Sequence, residues 1–472
     1  MSLRDVRPAQ SGPEWEARLT PWLYGAFFLA VLYGLFLSAS FFRPIWIDEF
    51  VNFAMGAGAS LPDAWFIVDR TTVAVNHGHT GAYLLFSYLG LSQFGASAVL
   101  LRLPALLSGA WLMLLTVQLF RILRFSIAWQ VLAVMALFGQ ALIVYFIGEA
   151  RTYMPLTASV VGLLVYYVGR ARGCDSGLLN LTGIASASLG VIISPYIAVY
   201  WPAMAAVGYY CHLLENRQAP RLGTLIRFVN PLFVAVGIAG FVLIGALTWM
   251  RGSPVFSYDP FQWIRSPSIW SHLLQHSHIQ FLSAHKRTAL VLTIAATGAA
   301  ILLSKDRKAA LTRLFAPCLL LLVTAAVSAL LAYASYRMNY WILGRQFTAS
   351  AALVALGVVW LWAESARLLA QRTKPAGIAI GLVAAFVLFG HVRINHDTQW
   401  SRLRSEVEAQ NRMRADLFCT PPASAPHGLP LQQANDTWVA EANRNILCGG
   451  PVWPIFRTYY PAWDERRASP SP

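Results

Sequence analysis

Apolar runs of about 16 to 25 residues recur along the chain from residue 22 to residue 392, separated by short polar segments. The runs are continuous, not alternating, and a membrane-spanning helix needs ~17–25 such residues, whereas a strand of an outer-membrane barrel needs only ~10 with a period of two. The pattern therefore predicts eleven helical spans, at about 22–42, 96–120, 127–147, 153–169, 178–193, 196–214, 230–250, 288–303, 314–334, 346–363 and 375–392. Residues 1–21 form a polar N-terminal segment. The 21 apolar residues after it exceed the ~7–15 of a signal-peptide core, so they read as a retained first span.

Composition agrees. Of 472 residues, 57% are hydrophobic and 12% charged, against roughly 45–50% and about 25% in soluble domains. Such an excess cannot fill one soluble core, because single cores stop growing at ~250–300 residues. The net charge of +15 would suggest nucleic acid as a partner in a soluble protein. Here the basic residues lie mostly between apolar runs, where retention on the cytoplasmic side and contact with anionic lipid heads account for them, and no nucleic-acid partner is expected. With the N-terminus in the cytoplasm, the inside segments hold seventeen Lys and Arg residues and the short outside loops nine. That asymmetry sets the orientation.

The first outer loop spans 43–95, and its segment 82–94 has only 13 residues, too few to cross a bilayer. It is expected to lie in the outer interface, with Tyr83 and Tyr88 at head-group level. Were it a span, most basic loops would face outward. The composition changes after residue 392, and residues 393–472 are expected to form a small extracytoplasmic domain. Cys419 and Cys448 both fall in that tail, where an oxidising compartment permits a disulfide, with two buried thiols as the alternative. The predicted fold is an all-α polytopic membrane protein with a transmembrane domain at 22–392.

Carboxylates near a membrane are costly and are therefore candidates for function. Asp48 and Glu49 follow the first span in RPIWIDEF, flanked by Trp46 and Phe50. Partial desolvation there would raise a carboxylate pKa and suit a general base; alternatively, Asp48 caps a helix that starts at Glu49. Glu149 and Arg151 lie at the outer end of the third span, in GEARTYM. They form either a structural ion pair or a polar lining in which Arg151 offsets a substrate's negative charge. The outer loop 251–287 carries His272, His276, His278 and His285, then Lys286 and Arg287. Its i, i+4 histidines could bind a divalent metal, lie solvated on an interfacial helix, or, with Lys286 or Arg287, contact a phosphate. No nearby acid or cysteine completes a metal set, and no GxxxxGKS nucleotide loop occurs.

A DE pair after the first span, a segment introduced by His79 in HGHTGAYLL, RLPALLSG at 102–109, EARTYM at 149–154 and GRQF at 344–347 occur in this order. Together they resemble the membrane glycosyltransferases of the protein O-mannosyltransferase and aminoarabinose transferase type, whose fold is called GT-C, over about residues 20–365. The resemblance implies an enzyme that takes a sugar from a polyprenyl phosphate on the outer membrane face and gives it to a hydroxyl with inversion. It implies Asp48 as the base that deprotonates the acceptor and Glu49 in support. Arg345 matches an arginine near the donor phosphate, in a motif that usually reads Gly-Arg-Tyr and here has Phe347 one position late. His79 stands where a basic residue or histidine is usually followed by proline, and Thr80 and Gly81 replace that sequence here. In relatives the loop before Lys286 closes over the lipid donor, which favours phosphate contact by Lys286.

A lipid phosphate leaving group needs cations aimed at its developing charge, and the acceptor oxygen needs a base. A lipid-linked donor also explains why no nucleotide loop is needed and no cofactor is expected. The expected partners are membrane lipids, the polyprenyl-phosphate sugar and a glycan or lipid of the cell envelope, such as lipopolysaccharide, or a protein acceptor. The expected location is a bacterial inner membrane, with the site on the periplasmic face. A secondary transporter is the alternative from another class, but transporters place ionisable groups near the midplane in repeated halves, whereas these acids lie at the outer boundary. The predicted topology is tested by a cysteine at Ser424, which should react with an impermeant thiol reagent from outside the cell. Labelling only after the cytoplasm is opened would reverse the orientation.

Overall fold

The computed structural model describes Glu49, Tyr83, Phe86, Leu89, Gly90 and residues 98–174, 176–194, 196–216, 222–229, 237–238, 286–337 and 347–412. All regular structure among them is helical: α1 Ala98–Ile122, α2 Ile127–Phe138, α3 Ala141–Ile147, α4 Tyr153–Ala171, α5 Gly177–Ile193, α6 Ile197–Asn216, α7 Leu222–Val229, α8 Lys286–Leu303, α9 Arg307–Arg337, α10 Thr348–Ala370 and α11 Lys374–Arg412. Six of these helices, α1, α4, α6, α9, α10 and α11, are long and apolar enough to cross a membrane, and the bent pair α2 and α3 passes the same test when counted as one broken span. Helices α5 and α8 are shorter apolar helices. Nine of the eleven expected spans thus fall on described helices, while the segments 22–42 and 230–250 lie almost wholly outside the described residues. The protein is an all-α, multi-pass membrane protein.

Two helices form the centre. In α4, 94% of the apolar window is buried, and in α10, 89%, compared with 33% in α11. Helix α4 packs against α1, α5, α6 and α10, whereas α10 packs against α2, α8, α9 and α11. Helices apolar all round are suited to such central positions, because no face has to meet water.

Small residues bring these helices together. A Cβ on Gly208 of α6 would stand 2.4 Å from Tyr167 Cβ of α4, and one on Gly183 of α5 would stand 2.5 Å from the Tyr166 ring. In a bilayer, where no hydrophobic drive pulls helices together, such close approach supplies the dispersion contact that does. Hydroxyl groups are satisfied locally: Thr116, Thr157, Ser159, Thr324 and Ser328 each donate to the carbonyl four residues earlier. Between helices, Trp201 Nε1 donates to Tyr167 Oη at 2.7 Å, and the Ser350 hydroxyl bonds Tyr200 at 2.6 Å and Ser328 at 2.9 Å.

The span expected as one continuous helix at 127–147 is broken. Helices α2 and α3 meet at Gly139 and Gln140 with a bend of 77°. The break frees carbonyls inside the membrane, and Asn395 of α11 meets them: its amide donates to Phe138 O at 3.3 Å and to Gly139 O. Side-chain rescue of this kind is what allows a helix to break at membrane depth. The run of apolar residues does not reveal it, because the rescuing group is more than 250 residues away.

Helix α11 has 39 residues, about 58 Å at 1.5 Å per residue, and it continues unbroken past residue 393 to Arg412. The segment expected to become soluble at residue 393 therefore begins on the last spanning helix. The remainder of that segment, with Cys419 and Cys448, lies outside the described residues.

Charged groups gather at the two ends of the bundle. At one end Arg367 of α10 donates to the carbonyls of Leu123 at 3.0 Å and Arg124 at 2.9 Å, lies 4.1 Å from the centre of the Phe125 ring, and bonds Glu364 at 3.2 Å. Arg172, at the end of α4, pairs with Glu215 of α6 at 2.8 Å. The C-terminal ends of α1, α4, α6 and α10 thus share one end, and their N-terminal ends share the other.

The glycine contacts predict a contrast. Gly208→Ala should lower the unfolding midpoint in detergent through overpacking of about 1–3 kcal/mol. Gly298→Ala, where nothing lies within 4 Å, should leave the midpoint unchanged or raise it, since alanine favours the helix by ~0.5–1 kcal/mol. Equal midpoints for the two variants would remove close α4–α6 packing as a determinant.

Candidate active site

At the opposite end from Arg367, three separate stretches of sequence meet on one carboxylate. Glu49 is fully buried and is gripped by Arg102 of α1, whose Nε donates to Oε1 at 2.8 Å and whose Nη2 donates to Oε2 at 2.6 Å. The backbone N–H of Ala150, between α3 and α4, donates to the same Oε1 at 3.0 Å. A bidentate guanidinium with a further donor is the arrangement that allows a buried ion pair to exist at all, because each charge loses its water and must be repaid by directed bonds.

Tyr83 closes one side. Its hydroxyl donates to Leu101 O at 3.0 Å, and the residue is buried. Burial, and after it the negative charge of Glu49, push the Tyr83 phenol well above its ordinary value. Tyr83 is therefore a neutral donor over the whole physiological range. Tyr83, expected at head-group depth, is packed against the N-terminal end of α1 beside the Glu49–Arg102 pair, where its hydroxyl finds an acceptor. Phe86 and Leu89 are exposed.

Glu149 and Arg151 flank Ala150 and are both buried. The turn that carries them lies between α3 and α4, with the Arg151 N–H donating to Glu149 O at 2.7 Å. The 77° bend directs α3 into this turn, and the almost wholly buried α4 starts shortly after it. Glu149 also contributes to the field at Tyr83. The structure thus brings Glu49, Glu149 and Arg151 to one place.

Lys286 is the first residue of α8, and only its backbone is described. Asp48, which precedes Glu49 in the chain, lies outside the described residues, as do His79, Arg345 and the histidines 272, 276, 278 and 285. Phe347 directly precedes α10 and is buried at this same end of the bundle. Among the described residues no cluster of three His, Cys, Asp or Glu residues could hold a metal ion.

Arg102 is the participant that sequence reasoning missed. A signal was present: within the eleven expected spans it is the only Lys, Arg, Asp or Glu residue. A lone charge inside an apolar run requires a partner. The partner's identity required the fold, since 53 residues separate it from Glu49.

Fold and site define an all-α polytopic membrane protein with a buried, charge-paired polar centre at one end of the bundle. Among solved structures the chain is similar to ArnT from Cupriavidus metallidurans bound to undecaprenyl phosphate, with 12% sequence identity, a TM-score of 0.49 and coverage of 94% of this chain and 88% of that one. No family model and no curated protein matches the chain.

The pair predicts non-additive stabilities. Arg102→Met leaves Glu49 buried and uncompensated, which should cost about 3–5 kcal/mol of stability, and Glu49→Leu with Arg102→Met should restore most of it. Thermal unfolding of the purified variants in detergent measures both. A single variant as stable as wild type would show that the pair does not hold the site.

Proposed function

We propose that this protein is a GT-C-type glycosyltransferase that moves a sugar from a polyprenyl monophosphate to a hydroxyl of a cell-envelope glycan or lipid, on the outer face of the inner membrane. The observation that carries this reading is the convergence on the Glu49 carboxylate. Arg102 opens the RLPALLSG stretch, Ala150 lies within EARTYM, and Glu49 belongs to the DE pair. Three of the five stretches on which the resemblance rests, far apart in the chain, thus share one set of hydrogen bonds.

In this reading Asp48 is the general base. Its carboxylate takes the proton of the acceptor hydroxyl as that oxygen bonds the anomeric carbon from the face opposite the phosphate. The bond between anomeric carbon and phosphate oxygen breaks, its electron pair leaves with the lipid phosphate, and the configuration inverts. Glu49 is held by Arg102 and the Ala150 N–H, so its part is to fix the chain next to Asp48. Glu149 and Arg151 line the polar space, the arginine offsetting negative charge. Arg345, Lys286 and His79 receive the donor phosphate, and Asp48, Arg345, Lys286 and His79 take these roles from their sequence positions alone.

The test is Asp48→Asn, which preserves size and removes basicity. General-base catalysis contributes ~10²–10⁴ in rate, so transfer from polyprenyl-phosphate sugars in proteoliposomes should fall by about that factor, with thermal stability close to wild type. Wild-type transfer by the variant would remove Asp48 as the base. A wild-type protein that transfers no sugar from any polyprenyl phosphate, yet moves a solute across vesicles, would replace the enzyme with a transporter.

A further inference from the structure

At the end of the bundle away from Glu49, a cavity of about 570 Å³ opens between the C-terminal turns of α1 and the start of α5. Leu114, Val117, Ile122, Leu178 and Leu179 make its apolar wall, while Gln118, Arg121, Arg124, Cys174 and Ser176 make its polar rim. Leu114 and Leu178 are exposed on helices whose neighbours in a membrane are lipid tails. Arg121 and Arg124 are also exposed, and among the described residues no carboxylate lines the cavity or pairs with either guanidinium. Asp175, between Cys174 and Ser176 in the chain, lies outside the described residues.

The backbone at Arg124 adds a second observation. Its φ is +59°, whereas every other non-glycine residue described has a negative φ. The position directly follows the last turn of α1, where the left-handed conformation commonly ends a helix and where glycine, lacking a Cβ, is the usual occupant. Arg367 fixes this turn by donating to the Leu123 and Arg124 carbonyls. The protein therefore holds an arginine, in a conformation unfavourable for it, at the rim of an apolar groove that already contains a second arginine. The bonds that close the helix end, from the Arg124 N–H to Arg121 O at 2.9 Å and from the Phe125 N–H to Phe120 O at 3.0 Å, hold this turn and keep Arg124 at the rim.

We infer that this groove binds one anionic glycerophospholipid of the inner leaflet, its phosphate between Arg121 and Arg124 and an acyl chain along Leu114, Val117, Leu178 and Leu179. The two guanidiniums supply donors suited to a phosphate. The leucines supply a surface that a soluble anion would not use, which selects the lipid over free phosphate. This site lies away from Glu49, and the inference does not depend on the proposed enzymatic activity.

The test uses full-length protein in an uncharged detergent, titrated with phosphatidylglycerol, phosphatidylcholine or inorganic phosphate, with binding read by native mass spectrometry and stability by thermal unfolding. Wild type should bind one phosphatidylglycerol and be stabilised by it more than by phosphatidylcholine or phosphate. Arg124→Gly relieves the backbone and removes the guanidinium, so it should fold with an equal or higher midpoint yet bind phosphatidylglycerol more weakly. With Arg121→Gln added, the loss should reach about 30-fold, as expected for two basic contacts with an anionic lipid. Leu178→Trp keeps both arginines, fills the groove and should also lose the bound lipid. Undiminished phosphatidylglycerol binding by both the double variant and Leu178→Trp, equal binding and stabilisation by phosphatidylcholine, or full stabilisation by inorganic phosphate would each overturn the inference.

Discussion

The site depends on the pairing of Arg102 with Glu49, because a guanidinium on a membrane-spanning helix and a carboxylate with no exposed surface can each be tolerated only in the presence of the other. The pair fixes the relation of three segments that are otherwise independent. It ties residue 49 to α1, and the Ala150 N–H ties both to the turn before α4. Buried charge is costly, and breaking a pair costs more than never having had one. The interaction thus specifies position more than it adds stability, and position is what a chemical site needs.

The rest of the bundle maintains that geometry by leaving few polar groups to the lipid. Hydroxyls turn back on their own helices, and Ser350 links α6, α9 and α10 through Tyr200 and Ser328. The break between α2 and α3 follows the same rule, since Asn395 supplies the donor that the interrupted helix lacks. Through this break α3 turns toward Glu149 and Arg151, so a residue on the last spanning helix contributes to aiming the loop at the site.

The two ends of the bundle use arginine differently. At the site, Arg102 is fully engaged with a carboxylate and is inaccessible. At the other end, Arg367 holds two backbone carbonyls and an aromatic ring, Arg172 pairs with Glu215, and Arg121 and Arg124 remain exposed beside an apolar groove. The same side chain acts as an internal clamp, a helix-end brace and an exposed cation, according to whether a carboxylate, a carbonyl or the head-group layer lies within reach.

Membrane insertion, helical class, the order of the spans and the candidate acids Glu49 and Glu149 could be read from the sequence, because a bilayer imposes a length on each apolar run and a cost on each charge within it. Arg102 carried the same signal, as the one Lys, Arg, Asp or Glu within the expected spans, but it was not singled out, and its partner could not be read locally, since no local rule connects residues 102 and 49. The 77° bend was equally hidden: residues 127–147 satisfy the length and hydropathy of a straight span, and the amide that stabilises the break belongs to Asn395. The length of 82–94 suggested an interfacial segment, but that Tyr83 would bond Leu101 O and pack beside Glu49 and Arg102 followed only from the fold. Which helices became central was decided by packing as well. The sequences of α4 and α11 both satisfy a span, and it is the packing of the whole bundle, with the close approaches at glycines 183 and 208 among its contacts, that buries α4 and leaves α11 more exposed.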